Sequence, residues 1–172
     1  MDAIHAPLSV GEGVYIPVGP DGSHEGREQP ASGHVVAEQV HGAVQLHAHQ
    51  VRLGTKTENF DDALVAARQL NLRYMVYTTI LDWKDEATPM ASVKDAVRVK
   101  IEFVDVPAKT VIDAAVLTKQ SSIFATEKTG PQQLLAAPLK KYIDGVFGLS
   151  ADLTEEEREA PGFFTKLWHL YF

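Results

Sequence analysis

Val97-Arg98-Val99-Lys100-Ile101-Glu102-Phe103 alternates apolar and charged residues without a break. A period of two places Val97, Val99, Ile101 and Phe103 on one face of a strand and the charges on the other. One face is buried and one is wet, the pattern of an antiparallel strand rather than of a parallel strand covered on both sides. The strand reading extends over 93–106. Pro107-Ala108-Lys109-Thr110 is turn-like, and 111–120 returns as the hairpin partner.

Toward the N-terminus the pattern changes to alternating strands and helices. Tyr74-Met75-Val76-Tyr77-Thr78-Thr79-Ile80-Leu81 lies in a strand predicted over 73–83, joined to the hairpin by a polar connection holding Pro89. Before it, Asn59 reads as an N-cap with Asp61 and Asp62 in the first turn, where carboxylates favour the helix dipole. Phe60, Ala63, Leu64, Ala67 and Leu70 then form a helical stripe. Residues 50–54 are a short strand closed by Gly54. Val36, Val40, Ala43, Val44 and His47 mark an amphipathic helix over 34–49, with Ser32 as its predicted N-cap. Residues 20–33, rich in Gly, Ser, Pro and charge, read as a surface loop. Val14-Tyr15-Ile16-Pro17-Val18 is the first strand, and Pro17, which lacks an N–H, predicts an edge strand or a strand end.

Toward the C-terminus, Pro131 suits the first turn of a helix. Leu134, Leu135, Leu139, Tyr142, Ile143 and Val146 give its stripe, and Pro138 inside it predicts a kink or a shortened first turn. The order is therefore β-α-β-α-β-β-β-α. This predicts an α/β fold with a single mixed sheet of about five strands and three helices packed on it, plus a C-terminal aromatic tail. Residues 1–11 read as an N-terminal arm, 12–149 as a single α/β domain, and 150–172 as an acidic and aromatic extension.

The chain has 172 residues, enough for one domain of this kind to bury a substantial core. Its 16 Lys+Arg against 23 Asp+Glu give a net charge of −7, which supplies no electrostatic footprint for nucleic acid. Its apolar runs are too short for a membrane-spanning helix. With 0 Cys it offers no disulfide, no thiolate zinc site and no thiol nucleophile. The first residues carry neither a basic nor an apolar signal region. The expectation is a cytoplasmic protein, or one whose signal segment precedes residue 1.

Candidate chemistry is sparse. Five of the 7 His lie between His24 and His49. On a helix His34 and His41 stand about 10.5 Å apart along the axis, too far for one ion, and His47 and His49 point to different sides. No metal site or cofactor is predicted, the bland reading being surface histidines. Asp82 and Asp85 lie at a strand end, where sites occur, against the plainer reading of a solvated, salt-bridged turn. No Gly-x-Ser-x-Gly elbow, dinucleotide fingerprint or phosphate loop is present. The residues suited to a partner face are Trp83, Phe124, Phe163, Phe164, Trp168, Tyr171 and Phe172. For the tail among them, the alternative is that it packs back on the domain and fills an open sheet face.

Several pieces, taken in order, resemble a family of bacterial lipoproteins classed as a domain of unknown function. They are Val14-Tyr15-Ile16-Pro17, Asp21-Gly22, Ser32-Gly33, Asp61-Asp62-Ala63-Leu64, Tyr77 through Asp85, Val104-Asp105-Val106, Gln132-Gln133-Leu134-Leu135 and Pro138-Leu139. The resemblance covers residues 12–147. It implies a tight edge strand, a Ser-Gly helix entry and a strand ending near a Trp and a carboxylate. It also implies similarity to small α/β modules of envelope lipoproteins: the amino-terminal domain of the Tol-Pal propeller protein, the curli secretion lipoprotein and the Pel export lipoprotein. It carries no catalytic residues. A lipobox cysteine is missing from the chain, so membrane contact is expected only through a lipid anchor outside it.

Together these readings predict a non-enzymatic periplasmic protein at the outer membrane, acting by protein–protein contact or self-assembly. The expected partner is another copy or another envelope protein. The alternative is a small hydrolase or a metal- or ligand-binding module using Asp82 or Asp85 with the His-rich segment.

Overall fold

The computed structural model describes residues 12–86, 93–122 and 130–148. The chain runs β1 (Gly13–Val18), β2 (Ser23–His24), β3 (Arg27–Glu28), α1 (Ser32–Gln45), β4 (Gln50–Lys56), α2 (Phe60–Gln69), β5 (Tyr74–Lys84), β6 (Ala96–Asp105), β7 (Thr110–Gln120) and α3 (Pro131–Val146). Five strands form a mixed sheet in the order β4-β1-β5-β6-β7. β1 is parallel to both β4 and β5, while β5, β6 and β7 form an antiparallel meander. With three helices on this sheet, the fold is α/β, as the alternation of elements predicts.

The strand order assigns each helix its face. The step from β1 to β4 leaves β1 on one side, and the step from β4 to β5 passes back across β1 to the other. Crossovers of one hand running in opposite directions put their helices on opposite faces. Accordingly Val36, Val40 and Val44 of α1 share the main core with Leu135, Leu139 and Ile143 of α3. Both pack on Val14, Ile16, Val97, Val99, Ile101 and Phe103. On the opposite face, α2 sets Ala63, Leu64 and Ala67 against Tyr15, Met75, Tyr77 and Val104. The apolar half of the quoted β6 stretch is thus the floor of the main core, each of its four side chains at most 1% exposed.

Several local expectations need correction. β1 is not an edge strand: it lies between β4 and β5. Pro17 is tolerated there because the ladder makes no demand on its nitrogen. Pairing with β5 ends at Tyr15, and toward β4 the register jumps from Ile16↔Leu53 to Val18↔Lys56, leaving Gly54 and Thr55 opposite Pro17. Residues 20–33 are not simply a loop, since Ser23–His24 and Arg27–Glu28 pair as a small hairpin. Its turn uses Glu25 (φ 49°) and Gly26 (φ 77°), the left-handed pair that a two-residue hairpin turn requires. Helix α1 ends at Gln45, so His47 lies beyond it. Pro138 sits inside α3, which continues past it to Val146. Asn59 caps α2 as read, its side-chain oxygen accepting from the Asp62 N–H at 2.9 Å.

Candidate functional site

The entry to α1 shows how the sequence builds the most polar corner of the molecule. Ser32 is not the N-cap. That place belongs to Ala31, in a left-handed conformation with φ 65° and no side-chain cap. The cap comes instead from Asp21, whose Oδ1 accepts from the Gly33 N–H at 2.9 Å while its Oδ2 receives Lys56 Nζ at 2.9 Å. The Lys56 contact chiefly, and the Gly33 bond after it, hold the Asp21 carboxyl below the usual carboxylate range against the opposing effect of burial. Buried Ser32 turns its Oγ away from its own helix, accepting from the Gly22 N–H at 2.8 Å and donating to the Gln29 carbonyl at 2.7 Å. Gly33 has to be glycine: a Cβ there would lie 2.3 Å from the Gly19 carbonyl oxygen. Asp21-Gly22 and Ser32-Gly33 are therefore the two halves of one clamp.

The clamp aims the β2–β3 hairpin along β5. It brings His24 Nδ1 to 2.7 Å from Asp82 Oδ1, across 58 residues of sequence. The imidazole is 15% exposed and the carboxylate 35%. His24 Nε2 is buried without a hydrogen-bond partner among the described residues, with Glu25 Oε1 3.8 Å away. Beside the pair lies an open depression of about 480 Å³, lined by His24, Asp82, Lys84, Val93, Lys94, Ala96 and Gln120. A carboxylate that accepts from Nδ1 fixes the tautomer and the orientation of the imidazole. The described lining adds two lysines and an amide but no hydroxyl or thiol. The arrangement can orient a polar or anionic group, and it shows no activated oxygen or sulfur nucleophile among the described residues.

The remaining histidines are dispersed. His34 pairs with Glu38 one helical turn on, at 3.1 Å. His47 Nε2 meets Asp144 Oδ1 at 2.7 Å and its ring stacks on Phe147, with centroids 4.9 Å apart. Lys140 Nζ reaches the other Asp144 oxygen at 2.6 Å. This joint ties the end of α1 to the end of α3. Lys140 first, and His47 after it, draw the Asp144 carboxyl below its ordinary range. Among the described residues no three His, Asp or Glu side chains converge on one point.

Of the residues suggested for a partner face, Trp83 is 5% exposed and belongs to the main core, so it presents almost no surface. Phe124, Phe163, Phe164, Trp168, Tyr171 and Phe172 lie outside the described residues. Asp85 is exposed, and Asp82 meets a histidine of the hairpin rather than one of α1. The sequence reading set Asp82 with the His-rich segment as its alternative, but it did not single out His24, because a two-residue strand leaves no periodicity. The available signal was the Glu25-Gly26 turn. The large apolar side chains most exposed at the described surface are Leu46 (69%), Val65 (53%), Leu81 (44%) and Val93 (41%), followed by Leu70 and Val111.

In structure, the chain is similar to the PelC dodecamer of Paraburkholderia phytofirmans, seen in two crystal forms. One, carrying a Leu-to-Met change, gives a TM-score of 0.64 at 18% identity, covering 81% of this chain and 92% of that one. The other gives 0.63 at 18% identity, with 81% and 89% covered. The lipoprotein GNA1162 of Neisseria meningitidis is a more distant likeness, with a TM-score of 0.47, 10% identity, and 77% and 96% covered. No curated protein matches the sequence. The model of a domain of unknown function, DUF4823, matches residues 6–146; the chain belongs to that family.

Proposed function

We propose that this is a non-enzymatic protein of the bacterial cell envelope, periplasmic and held near the outer membrane, which works by assembling with copies of itself. The observation that carries the reading is the open outer strand of the sheet. β4 ends the sheet among the described residues, and Gln50, Arg52, Thr55 and Lys56 along it are exposed. Leu46, just before it in the chain, is the most exposed of the large apolar side chains described. An unpaired strand with an apolar neighbour is a ready template for another chain. A head-to-tail contact of this kind closes into a ring when its rotation permits. The structurally similar PelC is a dodecamer, which supports the same mode of action here.

Light scattering coupled to size exclusion tests this on the full chain. The expected result is a defined homo-oligomer that dissociates when Leu46→Glu places a charge at the β4 end. A chain that is monomeric at every concentration overturns it. A second reading, a ligand-binding or hydrolytic site, is favoured by one observation, the Asp82-held His24 beside the depression. It requires that His24→Gln abolish a measurable binding or turnover while leaving the oligomer intact.

A further inference from the structure

Lys84, Ala96 and Gln120 form one cross-strand row where β5 ends, β6 begins and β7 ends. Ala96 is a short side chain between two long ones, so the row has a gap at its centre. That gap is the depression beside His24. Asp82 lies two residues before Lys84 and therefore on the same face of β5, about 7 Å away by strand rise. Lys94 also lines the gap, and Val93, 41% exposed, adds apolar surface. These groups have unused bonding capacity. Among the described residues Lys84 and Lys94 form no ion pair, and the Gln120 amide has no hydrogen bond. Asp82 uses Oδ1 for His24 Nδ1 at 2.7 Å, and its Oδ2 has no described partner. The other charges nearby are engaged. Arg98 and Asp85 have partners of their own, and Glu86 reaches Arg27 at 4.0 Å. Asp95 is buried, with Oδ1 accepting from the Glu86 N–H at 2.8 Å. The depression thus presents two cations and an amide on one side and a carboxylate oxygen on the other.

We propose that this depression binds a small zwitterion, a molecule carrying a carboxylate and an ammonium group on a short carbon chain. The inference deepens the second reading above, that of a ligand site, and rests on it. The carboxylate lies between Lys84 and Lys94 and accepts from the Gln120 amide. The ammonium donates to Asp82 Oδ2, and the carbon chain covers Ala96 and Val93. The arrangement of charge selects the class. A simple anion would leave Asp82 facing a like charge, and a simple cation would meet two lysines; only a molecule bearing both signs answers both sides. His24 does not touch the ligand, because its Nε2 is buried. It is a positioning residue that holds Asp82 through Oδ1. The depression is open to water, which weakens each charge pair, so the affinity is on the order of millimolar.

The probe is γ-aminobutyrate, with butyrate and butylammonium as the same carbon chain bearing one charge each. All three are titrated into the isotope-labelled full chain, and the amide resonances of Lys84, Ala96 and Gln120 are followed. The expected result is a saturable shift with γ-aminobutyrate and several-fold weaker binding of either single-charge analogue. Asp82→Asn should weaken γ-aminobutyrate and spare butyrate, and His24→Gln, acting through Asp82, should do the same. Lys84→Met combined with Lys94→Met should remove the response to γ-aminobutyrate and to butyrate. Butyrate binding as tightly as γ-aminobutyrate overturns the zwitterion and leaves a plain anion site, so the second reading survives. Saturable shifts confined to other parts of the protein overturn the choice of site. No saturable shift with any of the three overturns the proposal and the ligand-site reading with it. The comparison of probes needs no variant, so it decides even where a substitution unfolds the chain.

Discussion

Replacing Asp21 by Ala removes the external cap of α1. In the native chain Asp21 Oδ1 accepts from the Gly33 N–H at 2.9 Å, at a helix whose own cap residue offers no side chain. Loss of such a cap costs about 1 kcal/mol, within a range of about 0.5–2. In a chain of this length each kcal/mol lowers Tm by about 2–4 °C, so Asp21→Ala should melt a few degrees lower. Lys56, on the other oxygen, is largely in water, where an ion pair contributes little to stability. Asp21→Asn keeps an acceptor for Gly33 and loses only the charge, so it should retain most of the stability. The carboxyl is depressed in the folded state, first by Lys56 and then, against the effect of burial, by the Gly33 bond. Its ionised form therefore contributes above the unfolded value of about 3.9, and the contribution is lost as pH falls through the lower folded value. The difference between wild type and Asp21→Ala, followed by urea unfolding, should be constant from neutrality down to about pH 5 and shrink below about pH 4 only by the part that the charge carries, because a protonated carboxyl still offers Gly33 an oxygen. If Asp21→Asn is as damaging as Asp21→Ala at neutral pH, the charge rather than the cap holds the clamp, and the reasoning fails.

Asp144→Ala should loosen the α1–α3 joint by about 1–3 kcal/mol, the scale of a lost hydrogen bond to a charged group, read by chemical denaturation; this carboxyl too is depressed, so its stabilisation should fade only in acid. Phe103→Ala empties the centre of the main core, where Phe103 is 0% exposed and meets the rings of Tyr142 and Phe147; a loss of about 3–5 kcal/mol is expected, measured by the shift of the urea midpoint. Gly54→Ala would put a Cβ 2.2 Å from the Tyr15 hydroxyl oxygen; moving the buried ring should cost about 1–3 kcal/mol, and Tyr15→Leu, which removes that oxygen, should relieve most of it in a double-mutant cycle.

The sequence by itself determined the elements whose cause is local. The period-two run over β6 fixed a strand with one buried face, because side-chain direction along a strand depends only on position. Asn59 followed by Asp61 and Asp62 fixed the start of α2, because a cap and a helix dipole act within one turn. Tertiary structure decided what depends on residues far apart. β1 reads from Pro17 as an edge strand or as ending there; it does end at Val18, yet it lies inside the sheet, where the register jump opposite Gly54 and Thr55 relieves the ladder of its missing donor. Ser32 reads as a cap, yet Asp21 performs that task from another segment. The His24–Asp82 pair joins positions 58 residues apart, and no periodicity encodes a contact made only when a clamped hairpin meets a strand of the sheet. Backbone preference and alternation act over a few residues; strand order, caps borrowed from elsewhere and paired ionisable groups exist only once distant segments share a volume.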